Sequence, residues 1–145
     1  MKFRTFVILF VLAVLIIVGY KMIGNGTTGN VIKSFYQDHT GLLWVGSRDG
    51  LNTLDPQTGE ITRFVHDPKD PTSLNHNYIF SITEDQQQRL WIGTAGGLNL
   101  FDRISKTFTR FGEQDGLPEE TIYGLLVDNQ GLIWASSNSG LYTLN

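Results

Sequence analysis

Three tryptophans return in the same local company along this chain, and that recurrence limits the fold more than any other feature. Trp44, Trp91 and Trp134 follow one another at intervals of 47 and 43 residues. Asp38, Asp85 and Asp128 lie six before them, and Leu43, Leu90 and Ile133 directly before. Gly46, Gly93 and Ser136 lie two after. Gly50, Gly97 and Gly140 lie six after, each followed by a leucine, and Asp55, Asp102 and Asn145 eleven after. Ile61–Phe64 matches Phe108–Phe111. A period of 40–50 residues is the mark of propellers, solenoids or arrays.

One unit can be read physically. Tyr78–Glu84 carries β-branched and aromatic residues in partial alternation, which predicts a strand. Asp85 opens a polar turn, where its carboxylate would accept backbone N–H bonds. Leu90–Thr94 is a second strand and Leu98–Asp102 a third. Gly97 lies between them, as a tight hairpin with positive φ requires. After a looser turn, Phe108–Phe111 forms a fourth. The runs LWIGT and GLNLF are apolar without clean alternation. Both faces of such a sheet must be covered, and neighbouring copies can cover them, as in a propeller. The small residue two after each tryptophan would let the next sheet approach closely. The 16 glycines, 9 Phe, 5 Tyr and 3 Trp of this 145-residue chain agree with a β-rich, turn-rich fold.

The N-terminus differs. Lys2 and Arg4 precede a stretch from Thr5 to Tyr20 with no charged residue. As a helix it would span about 24 Å, and flanking residues bring it toward the hydrocarbon thickness of a bilayer. Its length, and the lack of an A-x-A-like site after it, favour an uncleaved signal anchor over a cleaved signal peptide. Either way the positive charges stay inside and Thr27 onward lies outside. Gly24–Asn30 matches G-x-G-x-x-G by letters, but it follows no strand and opens no helix, so it reads as a flexible linker. The expected division is 1–23 anchor or signal peptide, 24–30 linker and 31–145 blades. The expected fold is all-β: a partial β-propeller of four-stranded antiparallel blades, preceded by one N-terminal hydrophobic helix. Two blades are full (31–77 and 78–120), and the third (121–145) has three strands. Closed propellers have about 4–8 blades, so this count leaves blade faces uncovered and able to self-associate.

QQQRLWIGTAGGLNLFD and DNQGLIWASSNSGLYTLN resemble the two-component regulator propeller repeat, and HDPKDPTSLNHNYIFSITED and DGLPEETIYGLLVDNQG resemble its blade-to-blade connections. The resemblance covers Val31 to Asn145. It implies the extracytoplasmic, ligand-sensing region of bacterial sensor histidine kinases, hybrid sensors or diguanylate cyclases. It further implies a periplasmic propeller held at the inner membrane by the N-terminal helix, or released into the periplasm or medium after signal cleavage. The chain carries no kinase or cyclase sequence, so the expectation is a truncated form or fragment without its output domain, and not an enzyme. A protein-interaction scaffold is the alternative reading, and a propeller enzyme such as a lyase a weaker one.

Little else carries chemistry. There are no cysteines and the net charge is −3, with no basic cluster beyond the N-terminus, so no nucleic-acid partner is expected. His39, His66 and His76 fall at non-equivalent repeat positions and suggest no metal site. No cofactor is expected. The repeated aspartates read as turn caps. A lyase would need ionisable residues clustered on the inner strands VIKSFYQ, YIFSITE and TIYGLLV, which hold almost none. Residues that break the repeat are the better ligand candidates, since those that keep it build the blade. Asn75, His76, Asn77, Glu119 and Glu120 lie in the connections just before inner strands. They would form a polar rim for a small ligand such as a sugar.

Overall fold

The computed structural model describes residues 31–117 and 120–144. They form eleven strands: β1 (Ile32–Gln37), β2 (Leu43–Ser47), β3 (Gly50–Leu54), β4 (Ile61–Phe64), β5 (Ile79–Glu84), β6 (Leu90–Thr94), β7 (Gly97–Asp102), β8 (Thr107–Phe111), β9 (Gly124–Val127), β10 (Ile133–Ser136) and β11 (Leu141–Leu144). Each pairs antiparallel with its neighbour in the chain, giving sheets β1-β2-β3-β4, β5-β6-β7-β8 and β9-β10-β11. The expected fold class needs correction at its N-terminal end. The structure is all-β, with sheets of four, four and three strands and no α-helix among the described residues. The only helical turn there is a 3-10 turn at Glu113–Asp115. The hydrophobic helix and the single-pass anchoring that rested on it fall on residues 1–30, outside the described residues. Among the described residues no helix is long and apolar enough to cross a membrane.

The sheets meet face to face, and the first strands β1, β5 and β9 gather along one side. Every residue of β2, β3 and β6 is buried, which explains why their sequences do not alternate between apolar and polar. Trp44 and Leu51 of the first sheet pack with Ile82, Ile92 and Phe101 of the second. Trp91 and Leu98, on the second sheet's other face, pack with Ile122, Ile133 and Ala135. Phe101 meets the Trp44 indole edge-to-face at 5.0 Å, and Phe111 lies 5.3 Å from Trp91. Each such aromatic pair adds about 1 kcal/mol beyond the area it buries.

The β2–β3 turn and its two copies need a left-handed residue: φ is 127° at Gly50, 123° at Gly97 and 144° at Gly140. The small residue after each tryptophan has a different cause. A Cβ placed on Gly46 would lie 2.6 Å from Ile79 Cγ2, and one on Gly93 would lie 2.8 Å from Ile122 Cγ2. Those isoleucines belong to the next blade, so the missing side chain makes the room into which the following sheet settles. Across the strand pair, Ser34 faces Gly46 and Ser81 faces Gly93, whereas Gly124 faces Ser136. The third sheet thus has the same two residue types in exchanged places, and no described residue covers Ser136 from the next position.

This packing sets an expectation. Gly93→Ala forces aside both the Ser81 hydroxyl of its own sheet and Ile122 of the next blade and lowers unfolding stability by about 1–3 kcal/mol, whereas Ser136→Ala changes it by less than about 0.5 kcal/mol. Urea denaturation of the two variants checks the contrast, and equal losses would overturn the packing account.

Candidate functional site

Two connections carry the chain from one sheet to the next, residues 65–78 and residues 112–123. Both run past the hairpin turns that join second to third strands. Ala95 N–H donates to Tyr78 O at 2.9 Å, and Thr121 Oγ1 donates to Ala95 O at 3.3 Å. Side chains of the first connection do most of the fastening. Asn75 Oδ1 accepts from Thr94 Oγ1 at 2.6 Å and Asn99 Nδ2 at 2.7 Å, while its Nδ2 donates to Gly96 O at 2.9 Å. Its backbone N–H donates to Asn99 Oδ1 at 3.0 Å. Asn77 Oδ1 accepts from His66 N–H at 2.6 Å. Arg110 on β8 reaches up to the same loop and donates to the carbonyls of Asp70, Ser73 and Leu74 at 2.9–3.2 Å.

Asn75, His76 and Asn77 therefore lie on one loop, but they do not converge. The Asn75 and Asn77 amides are committed to protein bonds. His76 is exposed, its Nδ1 accepting from Tyr78 N–H at 2.9 Å. Glu120 sits apart, at the β10–β11 turn, where the Ser137 and Ser139 hydroxyls and the Ser139 N–H donate to it. Those bonds, the Ser137 hydroxyl's first, hold the Glu120 carboxyl below its usual range. Glu119 lies outside the described residues. An open depression of about 430 Å³ lies between the two connections, lined by Asn75, Gly96, Arg110, Phe111 and residues 112–115. Of the rim candidates it holds Asn75 alone.

The opposite side is built from the repeated aspartates. Asp38 Oδ1 accepts from Thr40 N–H at 2.9 Å and Leu42 N–H at 3.1 Å, closing the turn, while Oδ2 accepts from Trp44 Nε1 at 2.8 Å. Asp85 and Asp128 do the same with Trp91 at 2.9 Å and Trp134 at 2.8 Å. The first copy adds a bridge between sheets. Arg103, from the β7–β8 turn, donates to Asp38 Oδ2 and to Glu84 Oε1, each at 2.7 Å. His39 also donates its backbone N–H to Glu84 Oε2 at 2.9 Å. Burial alone pushes the Asp38 carboxyl up; bonds from Thr40, Trp44 and Arg103, with the guanidinium charge, outweigh it and bring it down to about 2. Burial likewise raises Asp85, and bonds from Trp91 and Arg89 reverse the direction. Among the described residues no group of three His, Asp or Glu could hold a metal ion.

Arg103, Asn99 and Arg110 are the working residues that sequence reasoning passed over. Arg103 was detectable as a break in the repeat, since Pro56 holds the matching place in the first copy. Asn99 and Arg110 have counterparts in Asn52 and Arg63, so repetition hid them among the blade-building positions.

A family model described as the two component regulator propeller matches residues 26–49, 73–96 and 116–139. A histidine kinase, P4 of Formosa agariphila, is 41% identical over 51 residues, which is 35% of this chain and 4% of that protein. The fold matches the extracellular domain of a putative hybrid two-component system of B. thetaiotaomicron, with TM-score 0.71 and 22% identity over 83% of this chain and 18% of that one. It also matches the extracellular domain of a putative one-component system of B. thetaiotaomicron, with TM-score 0.68 and 27% identity over 85% of this chain and 17% of that one. The chain thus spans less than a fifth of the length of each of these relatives.

Two expectations follow from the bonds. Asn75→Ala takes the shorter of two acceptors from the buried Asn99 amide and from the Thr94 hydroxyl, at a cost of about 2 kcal/mol in chemical denaturation. A loss below about 0.5 kcal/mol would mean that the loop is not fastened there. Asp38 has its folded pKa depressed, so its contribution is fully present above the ordinary carboxylate value and is lost as pH falls through about 2. The stability gap between the wild type and Asp38→Asn, up to about 2 kcal/mol near neutrality, should therefore narrow below about pH 4.

Proposed function

This chain belongs to the two-component regulator propeller family, and we propose that it serves as the extracytoplasmic, ligand-sensing part of a bacterial signal transducer, without catalysis of its own. The observation that carries this reading is the triplicated, tryptophan-clasped sheet. It matches the family's repeat in all three copies, and the fold is that of the extracellular domain of a putative hybrid two-component system. Chemistry supports the non-catalytic half: the ionisable groups described above are spent on turns and on the seam between sheets. The ligand belongs on the side of the connections, where the repeat varies most. There His76, exposed on the loop before β5, is the first of the rim candidates to vary.

The side of the membrane is directly testable, because the chain contains no cysteine. A single Gln57→Cys, at an exposed turn position, should react with a membrane-impermeant maleimide in cells whose outer envelope is permeabilised. Protection until the inner membrane is lysed would overturn the placement. Sensing is tested by thermal denaturation of the whole chain against neutral and acidic saccharides. A saturable rise in midpoint with at least one of them is expected, since a ligand at 100 times its Kd stabilises by about 2.7 kcal/mol. No rise with any saccharide would count against a sugar sensor.

A further inference from the structure

Lys33, Phe80 and Tyr123 occupy the same place in the three repeats, each eleven residues before its tryptophan. In the first two sheets this place is a bulge: the β1–β2 register shifts between Ile32 and Ser34, and the β5–β6 register between Ile79 and Ser81. A bulge releases its extra residue from the ladder and re-aims the side chain. The first strands lie side by side, so these re-aimed residues come close together. Phe80 and Tyr123 meet edge-to-face at 5.1 Å, and Tyr78 stacks on Phe80 at 4.3 Å with an interplanar angle of 14°. The Lys33 ammonium lies 5.8 Å from the centre of the Tyr78 ring and the Arg48 guanidinium 5.4 Å from it. Arg48 Nε also donates to the Tyr78 hydroxyl at 3.2 Å. The Tyr123 hydroxyl donates to Asn138 Oδ1 at 3.1 Å.

Here the repeat varies in chemistry at one position: a lysine in one copy, aromatics in the other two. Lys33, Arg48 and Asn138 are exposed, and Tyr123 keeps 44% of its surface open. Among the described residues neither Lys33 nor Arg48 pairs with a carboxylate. The bond from Arg48 draws the Tyr78 phenol below its ordinary value; burial works against it, and Lys33 adds to the lowering. The ledge therefore offers aromatic faces, two cations without a carboxylate partner among the described residues, and phenol and amide groups at its edge.

We propose that this ledge binds an acidic sugar, a hexuronate. The C–H face of the ring would lie on Phe80 and Tyr123, the carboxylate toward Arg48 and Lys33, and a hydroxyl toward Asn138. The proposal rests on the sensing reading above and names its ligand class. Charge complementarity selects an anion, since a cation would face two like charges with no partner. The polar edge selects a polyhydroxylated ring over a bare aromatic acid, whose rim offers no acceptor to the Asn138 amide N–H groups.

Isothermal titration of the whole chain with glucuronate, glucose and benzoate tests it. Glucuronate should bind at least tenfold more tightly than glucose. Arg48→Gln and Lys33→Gln should each remove most of that preference, and Phe80→Leu should weaken glucuronate while the far-UV spectrum and melting midpoint stay within the wild-type range. Should Phe80→Leu unfold, Tyr123→Leu, on the exposed side of the ledge, is the second probe. Equal affinity for glucose and glucuronate, indifference to Arg48→Gln, or benzoate binding in place of glucuronate would overturn the proposal. If neutral saccharides bind without regard to the ledge variants, the ledge is wrong and the sensing reading stands; if no saccharide binds anywhere, the sensing reading falls as well.

Discussion

One carboxylate does two jobs in every repeat. A buried indole N–H must find an acceptor, and a five-residue turn must satisfy N–H groups that no ladder reaches. Asp38, Asp85 and Asp128 meet both needs, one oxygen on the turn and the other on the tryptophan. The bonds are charge-assisted and therefore short. They fix the tryptophan's orientation relative to the turn, so the large ring always leaves its sheet on the same face at the same height. Everything the next sheet needs in order to stack follows from that placement.

Stacking then depends on absences. Ile79 settles over Gly46 and Ile122 over Gly93 because neither glycine has a Cβ to obstruct it. Trp44 and Trp91 are 1% and 3% exposed as a result. In the third sheet the face that carries Trp134 has no covering sheet among the described residues. There Leu126 and Leu141 are each 61% exposed beside an open groove of about 350 Å³. The exchange of Ser and Gly between positions 124 and 136 is in keeping with this. A hydroxymethyl group at Ser136 stands where an isoleucine sits over the first two sheets, and the empty place has moved to the inner strand.

Much of this was legible in the sequence because repetition multiplies weak signals. A single Asp six residues before a Trp says little; three at the same offset, each with its hairpin glycine, give the turn, the strands and the close-packed face. What stayed hidden was of two kinds. Arg103 to Asp38 and Arg110 to Ser73 join residues 65 and 37 apart, and no local pattern records such pairings. The bulges at Lys33 and Phe80 were hidden for another reason. A bulge adds one residue without changing the strand's composition, so YIFSITE reads as an ordinary strand although its third residue, Phe80, is released from the ladder. Chain order alone puts Asn75 and Asn77 in a connection. Their amides turned out to be engaged because a loop of that length must satisfy its own backbone, and short polar side chains are the nearest means.

That last point changes where a ligand site should be sought in a fold of this kind. A residue can depart from the repeat in order to fasten an irregular loop, as Asn75 does, and its polarity is then already consumed. Positions where the backbone repeats and only the side chain varies are under no such demand. Lys33 and Phe80 sit on equivalent bulged backbone, so neither turn geometry nor loop satisfaction dictates their identity. In two of the three copies the bulge has removed them from the packing that dictates their neighbours. Variation on an invariant backbone is where a repeat protein is free to acquire specificity without disturbing its stacking, and the three inner strands bring those free positions to one side of the molecule.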